Sequence, residues 1–200
     1  MSLALGGVAC PAGSPAHRED FQGSDLPATD EPHHSARVAR TFPGPQSGEE
    51  ASVVAISADD LFRLVRNGAR RGTVVNMWAT WCAPCRWELP ALKAETERFA
   101  AEGIALLVVS VDEESDQSKI PSVLSQVGIG PPYYVVRPPA EAFKRAVHPE
   151  WAGNLPVSFL FEAGGKRRFF WEGPVTTRVL RPILEEFVTE DHQTRSVPKP

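Results

Sequence analysis

Thr73-Val74-Val75-Asn76-Met77-Trp78-Ala79-Thr80-Trp81-Cys82-Ala83-Pro84-Cys85-Arg86-Trp87-Glu88-Leu89-Pro90 decides the fold. Thr73 to Trp78 is β-branched and apolar enough for a buried strand, and from Arg86 onward the apolar residues recur at helical spacing. Two thiols therefore stand where a strand gives way to a helix. Residues i and i+3 lie one above the other on a helical turn, so the sulfurs of Cys82 and Cys85 can meet disulfide geometry without moving the backbone. Free N–H groups and the positive end of the helix dipole favour a thiolate at the helix N-terminus, and the thiolate is the nucleophile of disulfide exchange. Cys82 is thus expected to attack and Cys85 to resolve.

Working outward, Val53 to Ile56 reads as a short strand, and Ser57 with Asp60 three residues on as a capping box opening a helix that Gly68 ends. Beyond the cysteines, Leu89, Leu92, Thr96 and Phe99 keep helical spacing, Pro90 predicts a kink, and Gly103 predicts the C-cap. Ile104 to Val111 is the most continuous apolar run and predicts a central buried strand, with Asp112 to Asp116 as a polar loop at its carboxyl end. Ser118 to Val127 predicts a helix closed by Gly128, Tyr133 to Val136 a strand, and Ala140 to Val147 a helix. Val157 to Phe161 and Arg167 to Trp171 flank Gly164-Gly165 as a hairpin would. Val179, Leu180, Ile183, Leu184, Phe187 and Val188 give a last helix a wide apolar face, with Pro182 marking a kink or a late start. The alternation predicts an α/β fold, a mixed sheet flanked by helices on both faces.

Composition bounds the rest. The chain has 200 residues, 42% hydrophobic and 23% charged, with a formal net charge of −4 and no basic stripe interleaved with aromatics, which argues against a nucleic-acid partner. No apolar run approaches the ~20 residues of a membrane-spanning helix. The expected layout is an unstructured segment and linker over 1–50, one domain over 51–190 and a flexible tail over 191–200. Leu3-Ala4-Leu5-Gly6-Gly7-Val8-Ala9 followed by Cys10 looks like the tail of a bacterial lipoprotein signal, although a basic n-region is lacking. It makes Cys10 a lipidation candidate and membrane tethering through the N-terminus an expectation; the alternative is an incidental cysteine. His33 and His34 lie in the linker without cysteine or patterned carboxylate nearby, so no metal site is expected there.

Val74 to Pro90 resembles the signature of the TlpA-like thioredoxin-fold proteins, and the resemblance extends over roughly Ser52 to Val188. It implies a thioredoxin fold with an extra helix and strand inserted after the third strand. It also implies a thiol–disulfide oxidoreductase, a Cys82–Cys85 redox disulfide and no further cofactor. Partners would be protein thiols or disulfides and an upstream electron donor. The setting would be the periplasmic side of the bacterial cell envelope, with lipid anchoring through Cys10, or alternatively the cytoplasm; a monomer is expected. Leu155-Pro156-Val157 resembles the family's cis-proline loop, beside which the backbone pairs with an extended substrate. Trp81, with Leu155, Pro156 and Val157, forms the expected substrate-binding set, and Trp87 and Trp151 either extend an apolar docking surface or are ordinary aromatics.

Glu88 matches the family's carboxylate, which would raise the pKa of Cys85 and accept its proton; the other reading is an exposed glutamate complementing the helix dipole. Asn76 stands where thioredoxins proper carry a buried Asp, and Val157-Ser158 where the family more often has two threonines, which should alter the rim of the substrate groove. A structural zinc site would need a second ligand pair that the sequence lacks. A peroxidase would need a peroxide-activating Thr/Arg pocket that the sequence does not display. A redox-responsive binding or chaperone module without turnover is the alternative function. Family resemblance favours a reductant, but thioredoxin-fold potentials span roughly −270 to −120 mV, and Ala83-Pro84 does not fix the position on that scale.

Overall fold

The computed structural model describes residues 53–69 and 71–195, with side chains to residue 190. Cys10, His33, His34 and the flexible tail proposed for 191–200 lie outside the described side chains. Twelve segments follow in order: β1 (Val53–Ile56), α1 (Ala58–Gly68), β2 (Gly72–Trp78), α2 (Ala83–Arg98), β3 (Ile104–Ser110), a 3-10 turn (Glu114–Lys119), α3 (Ile120–Gln126), β4 (Tyr133–Val136), α4 (Ala140–Val147), β5 (Val157–Glu162), β6 (Arg167–Glu172) and α5 (Thr177–Arg195). They form one six-stranded sheet in the order β1-β4-β3-β2-β5-β6. The first four strands in that order are mutually parallel; β5 runs antiparallel to β2, and β6 antiparallel to β5. The pair α3–β4 stands where the resemblance puts its extra helix and strand, and β4 lies between β1 and β3.

Every residue of β2 is buried, as expected for a strand covered on both faces. Strand alternation sorts its side chains. Val75 and Met77 join Leu61 and Val65 of α1, Phe143 and Val147 of α4, and Phe159 and Phe161 of β5 in one cluster. Val74 faces the opposite way, against Leu92 of α2, Leu160 of β5 and Leu180 and Leu184 of α5. Trp78 shares that second face with Leu89 of α2 and with Ile120 and Leu124 of α3. Burying a side chain of this size stabilises by about 1.5–3 kcal/mol, so the two apolar layers hold β2, and the turn after it, from both sides.

The capping box is present as read: Ser57 Oγ accepts from Asp60 N–H while the Asp60 carboxylate accepts from Ser57 N–H. The Ser57 contacts hold the Asp60 carboxyl down at about 2. Four boundaries depart from the sequence reading. Helix α2 ends at Arg98 with Phe99 as its cap, so Gly103 is not its C-cap. At φ 90° Gly103 instead turns the chain into β3, and its carbonyl accepts from the amides of Arg71 and Gly72. The polar loop after β3 winds into the 3-10 turn, and α3 opens two residues later than expected, at Ile120 with Pro121 in its first turn. Helix α5 opens at Thr177, ahead of Pro182, and runs to Arg195, so Pro182 is not a late start. Helix α2 likewise runs through Pro90 as a single element.

Candidate active site

Cys82 is the N-cap of α2, in extended conformation, and its Sγ accepts the Cys85 amide at 3.3 Å. A backbone N–H aimed at sulfur is the contact that steadies a thiolate once the bond is reduced. The two sulfurs are joined, 1.99 Å apart with Cα atoms 5.3 Å apart. They are not equivalent: Cys85 is wholly buried, whereas Cys82 keeps 6% of its surface exposed. Trp81 beside it is 65% exposed.

The turn that delivers Cys82 is pinned from β3. Asp112, 4% exposed, follows that strand, and its carboxylate accepts the Thr80 amide at 3.1 and 3.0 Å, the Thr80 hydroxyl at 2.8 Å and the Ser110 hydroxyl at 2.5 Å. Asp112 N–H in turn donates to Ser110 Oγ. A buried carboxylate saturated with donors at short range is a rigid anchor, since charge-assisted hydrogen bonds are roughly twice as strong as neutral ones. Neither Thr80 nor Asp112 carries a sequence signal of its own; only the pairing of β2 with β3, which sets Trp78 opposite Ser110, puts them together.

Beneath the cysteines lies a second polar cluster. Glu88, one turn along α2 from Cys85, is 3% exposed, which excludes the reading of it as a solvated first-turn glutamate. Its Oε1 accepts from Asn76 Nδ2 at 2.7 Å and its Oε2 from the Val175 amide at 2.6 Å. Burial pushes its carboxyl up to about 7, against the pull of those two hydrogen bonds. Asn76 Nδ2 also donates to Ser158 Oγ at 2.9 Å. Ser158 is fully buried and points inward, so it does not shape a groove rim as the sequence reading held. The cause is register: Ser158 pairs with Asn76, and strand alternation turns both toward α2.

The structure sorts the remaining candidates. The Leu155–Pro156 peptide is cis, as the resemblance implies. Leu155 packs against the cluster that holds both cysteines, and among the described residues nothing hydrogen-bonds to its main chain. Val157 does not present a side chain to a substrate: it is fully buried and starts β5 opposite Met77. Trp87 is 78% exposed, while Trp151 is 4% exposed, packs in the α1–α4 core and donates its Nε1–H to Asn154 O, so it is no part of a docking surface. Among the described residues, no three His, Cys, Asp or Glu side chains are grouped so as to hold a metal ion.

A strand, a tight turn and a helix capped by one cysteine of a Cys-x-x-Cys disulfide, on a mixed sheet that closes with a β-hairpin, define a thioredoxin-fold protein. A family model described as the AhpC/TSA family matches residues 55–124, about a third of the chain. Among curated proteins, the thiol-disulfide oxidoreductase ResA of Geobacillus thermodenitrificans is 25% identical over 115 residues, which cover 58% of this chain and 62% of that protein. Thioredoxin of Coprinus comatus is 36% identical over 67 residues, 34% of this chain and 62% of that one. The chain spans between about half and three-fifths of the curated relatives it matches first. Among solved structures, a thiol:disulfide interchange protein of the thioredoxin family from Chlorobium tepidum aligns with a TM-score of 0.48 and 26% identity over 59% of this chain and 80% of that one. The chain is similar to thioredoxin-fold thiol–disulfide oxidoreductases over the segment that carries the two cysteines.

Proposed function

We propose that this protein exchanges its Cys82–Cys85 dithiol for disulfides in partner proteins, and that it works as a reductant on the outer side of a bacterial cytoplasmic membrane. The observation that carries the exchange is the asymmetric disulfide at the start of α2, one sulfur capping the helix beside an exposed Trp81 and the other sealed in the core. In the reduced protein the Cys82 thiolate attacks one sulfur of a partner disulfide, forming a mixed disulfide and releasing the partner's other sulfur as a thiolate, which takes a proton from solvent. Cys85 then gives its proton to the Glu88 carboxylate and attacks Cys82 Sγ. The intramolecular disulfide forms, and the second partner thiolate leaves. Net, the partner disulfide gains two electrons and this protein loses two. An upstream dithiol must restore the reduced state.

Several features support the roles within that sequence. The unpaired Leu155 main chain beside the cysteines suits strand-like pairing with an extended partner segment. Trp81 offers that segment an apolar contact, and Glu88 sits one turn from Cys85 with a carboxyl that titrates near neutrality. The direction and the setting rest on the resemblance to TlpA-like proteins; the ResA match supports thiol–disulfide exchange. Among the described residues no helix is long and apolar enough to cross a membrane. Cys10 is the candidate for lipid anchoring.

The test is trapping. Cys85→Ser should accumulate a mixed disulfide on Cys82 with oxidised glutathione and with protein disulfides, whereas Cys82→Ser should accumulate none. Trapping on Cys85 instead reverses the roles, and no exchange with any dithiol or disulfide leaves a redox-responsive module in place of an oxidoreductase. Equilibration with glutathione buffers decides direction: a potential near roughly −120 mV sinks the reductant reading.

A further inference from the structure

Asn76 is fully buried in the middle of β2, yet its side-chain amide is used on one side only. Nδ2 is crowded with acceptors: Glu88 Oε1 at 2.7 Å, Ser158 Oγ at 2.9 Å and, at the limit of bonding, Val157 O at 3.5 Å. Oδ1 is equally buried and accepts nothing. Buried carbonyl oxygens are rarely left without a donor, and those that are ask for an explanation. Here the donor that would satisfy Oδ1 is supplied by the chemistry of the site.

We propose that Asn76 is the positioning residue for Glu88, offering Nδ2–H to the carboxylate and, after a half-turn of the amide, Oδ1 to the protonated acid, so that Glu88 stays in place on both sides of its proton transfer. The proposal rests on Glu88 as the proton acceptor for Cys85. An ionised carboxylate only accepts, and the structure shows it with two donors, Asn76 Nδ2–H and Val175 N–H. Once Glu88 Oε1 carries the proton it becomes a donor, and Nδ2–H facing it would set donor against donor. The half-turn exchanges Nδ2 for Oδ1 at the same spot and removes that conflict. Ser158 Oγ can follow, because a hydroxyl both donates and accepts: it accepts from Nδ2 in one state and donates to Oδ1 in the other. Val175 N–H holds Oε2 in both states, since a protonated carboxyl keeps an accepting oxygen.

The neighbourhood is quiet enough for this to matter. What acts on Glu88 is burial, the Val175 amide and Asn76, with no charged side chain among the causes. Cys85 lies one turn before it on α2, and the next carboxylate along the helix, Glu95, is engaged by Arg181. A neutral amide can serve both states of Glu88 without charge of its own, whereas a carboxyl at position 76 would repel the ionised form.

The test reads Glu88 itself. In the reduced full-length protein, the 13C shift of the Glu88 carboxyl is followed against pH in the wild type, Asn76→Asp and Asn76→Ala. Asn76→Asp keeps the shape and is expected to make residues 76 and 88 titrate as a pair, with the upper midpoint raised by at least about one pH unit. Asn76→Ala is expected to raise the Glu88 midpoint as well, because the carboxylate loses a donor. The pH midpoint for decay of the glutathione mixed disulfide should move with the shift titration, a coupling that mere loss of packing does not produce. An upper midpoint in Asn76→Asp within about 0.3 pH units of wild type, or below it, overturns the proposal, whatever Asn76→Ala does. A wild-type resolution rate in Glu88→Gln at every pH would instead remove Glu88 from the reaction, while the shift titration still reports on Asn76.

Discussion

Thr80 and Asp112 are tied by three hydrogen bonds: the Thr80 amide to both carboxylate oxygens at 3.1 and 3.0 Å, and the Thr80 hydroxyl to Oδ1 at 2.8 Å. Thr80 is two residues before the helix-capping Cys82, so the end of β3 sets where the outer sulfur sits. Asp112→Ala would leave the Thr80 amide and hydroxyl buried without a partner and take from the Ser110 hydroxyl its acceptor, though not the residue 112 amide that donates to it, at a cost of about 2–4 kcal/mol. Urea unfolding of the oxidised protein should show that loss, with a smaller one for Asp112→Asn, which keeps an accepting oxygen. A loss under about 0.5 kcal/mol would mean the anchor is not holding the turn.

Glu88 ties stability to pH. Its folded carboxyl stands at about 7 against an ordinary 4.5, so the folded protein holds a proton that the unfolded chain releases. The contribution of Glu88 should therefore be greatest below about pH 4.5, fall as pH rises toward about 7, and level off above; 2.5 pH units at 1.36 kcal/mol each amount to about 3 kcal/mol. Glu88→Gln cannot ionise and should lack that slope. Denaturant melts of wild type and variant across this range test it, and parallel curves would show that the carboxylate is fully compensated in the fold. The same variant should slow resolution of the glutathione mixed disulfide by about 100-fold at neutral pH, the usual worth of a positioned base.

What was legible in the sequence was local. The capping box at Ser57, the junction carrying Cys82 and Cys85, the run of β3 and the hairpin at Gly165 each depend on residues a few positions apart, and each stands where the sequence placed it. The supports of the site join residues far apart in the chain: Thr80 with Asp112, Asn76 with Ser158, and Glu88 with the Val175 amide. No periodicity announces such pairs, because they exist only once β2 is registered between β3 and β5. That is why the sequence makes Ser158 look like a rim residue, and why nothing in it marks Asp112, correctly placed in a polar loop, as an anchor. Gly103 was misplaced for a related reason: a glycine after an apolar run looks the same whether it ends a helix or opens the next strand, and the choice falls to the Arg71 and Gly72 amides that bond to its carbonyl.

Glu95 and Arg181 close a two-pronged ion pair between α2 and α5, with contacts of 2.8 and 2.7 Å. Glu95 is 3% exposed, and its hydrogen bonds to Arg181, ahead of every other cause, hold its carboxyl below the ordinary value. Its contribution is therefore present above about pH 4.5 and lost as pH falls through the depressed folded value, opposite in sign to that of Glu88. Arg181→Ala leaves a buried carboxylate with only the distant Arg98 for charge, 3.9 Å away, and should cost about 2 kcal/mol at neutral pH. The double variant Arg181→Ala, Glu95→Gln should recover part of it; equal losses in Arg181→Ala and the double variant would show that the stranded carboxylate carries no penalty of its own.

Gly72 opens β2 against Phe187 of α5. A methyl group there would lie 2.6 Å from Phe187 Cε1 and 3.0 Å from the carbonyl oxygen of Phe161. The ring belongs to the packed α2–α5 cluster and the carbonyl to β5, which pairs with β2 at this position, so neither gives way freely. Gly72→Ala should overpack the site and cost about 1–3 kcal/mol, even though alanine suits a strand backbone better than glycine. Shortening the ring removes the nearer contact. Phe187→Leu alone should destabilise by leaving a void, yet in the Gly72→Ala background it should cost about 1 kcal/mol less than in the wild type. Thermal or urea melts of the four proteins give the coupling directly. Strict additivity would show that Phe187 moves aside without cost, leaving the Phe161 carbonyl as what excludes a side chain at position 72.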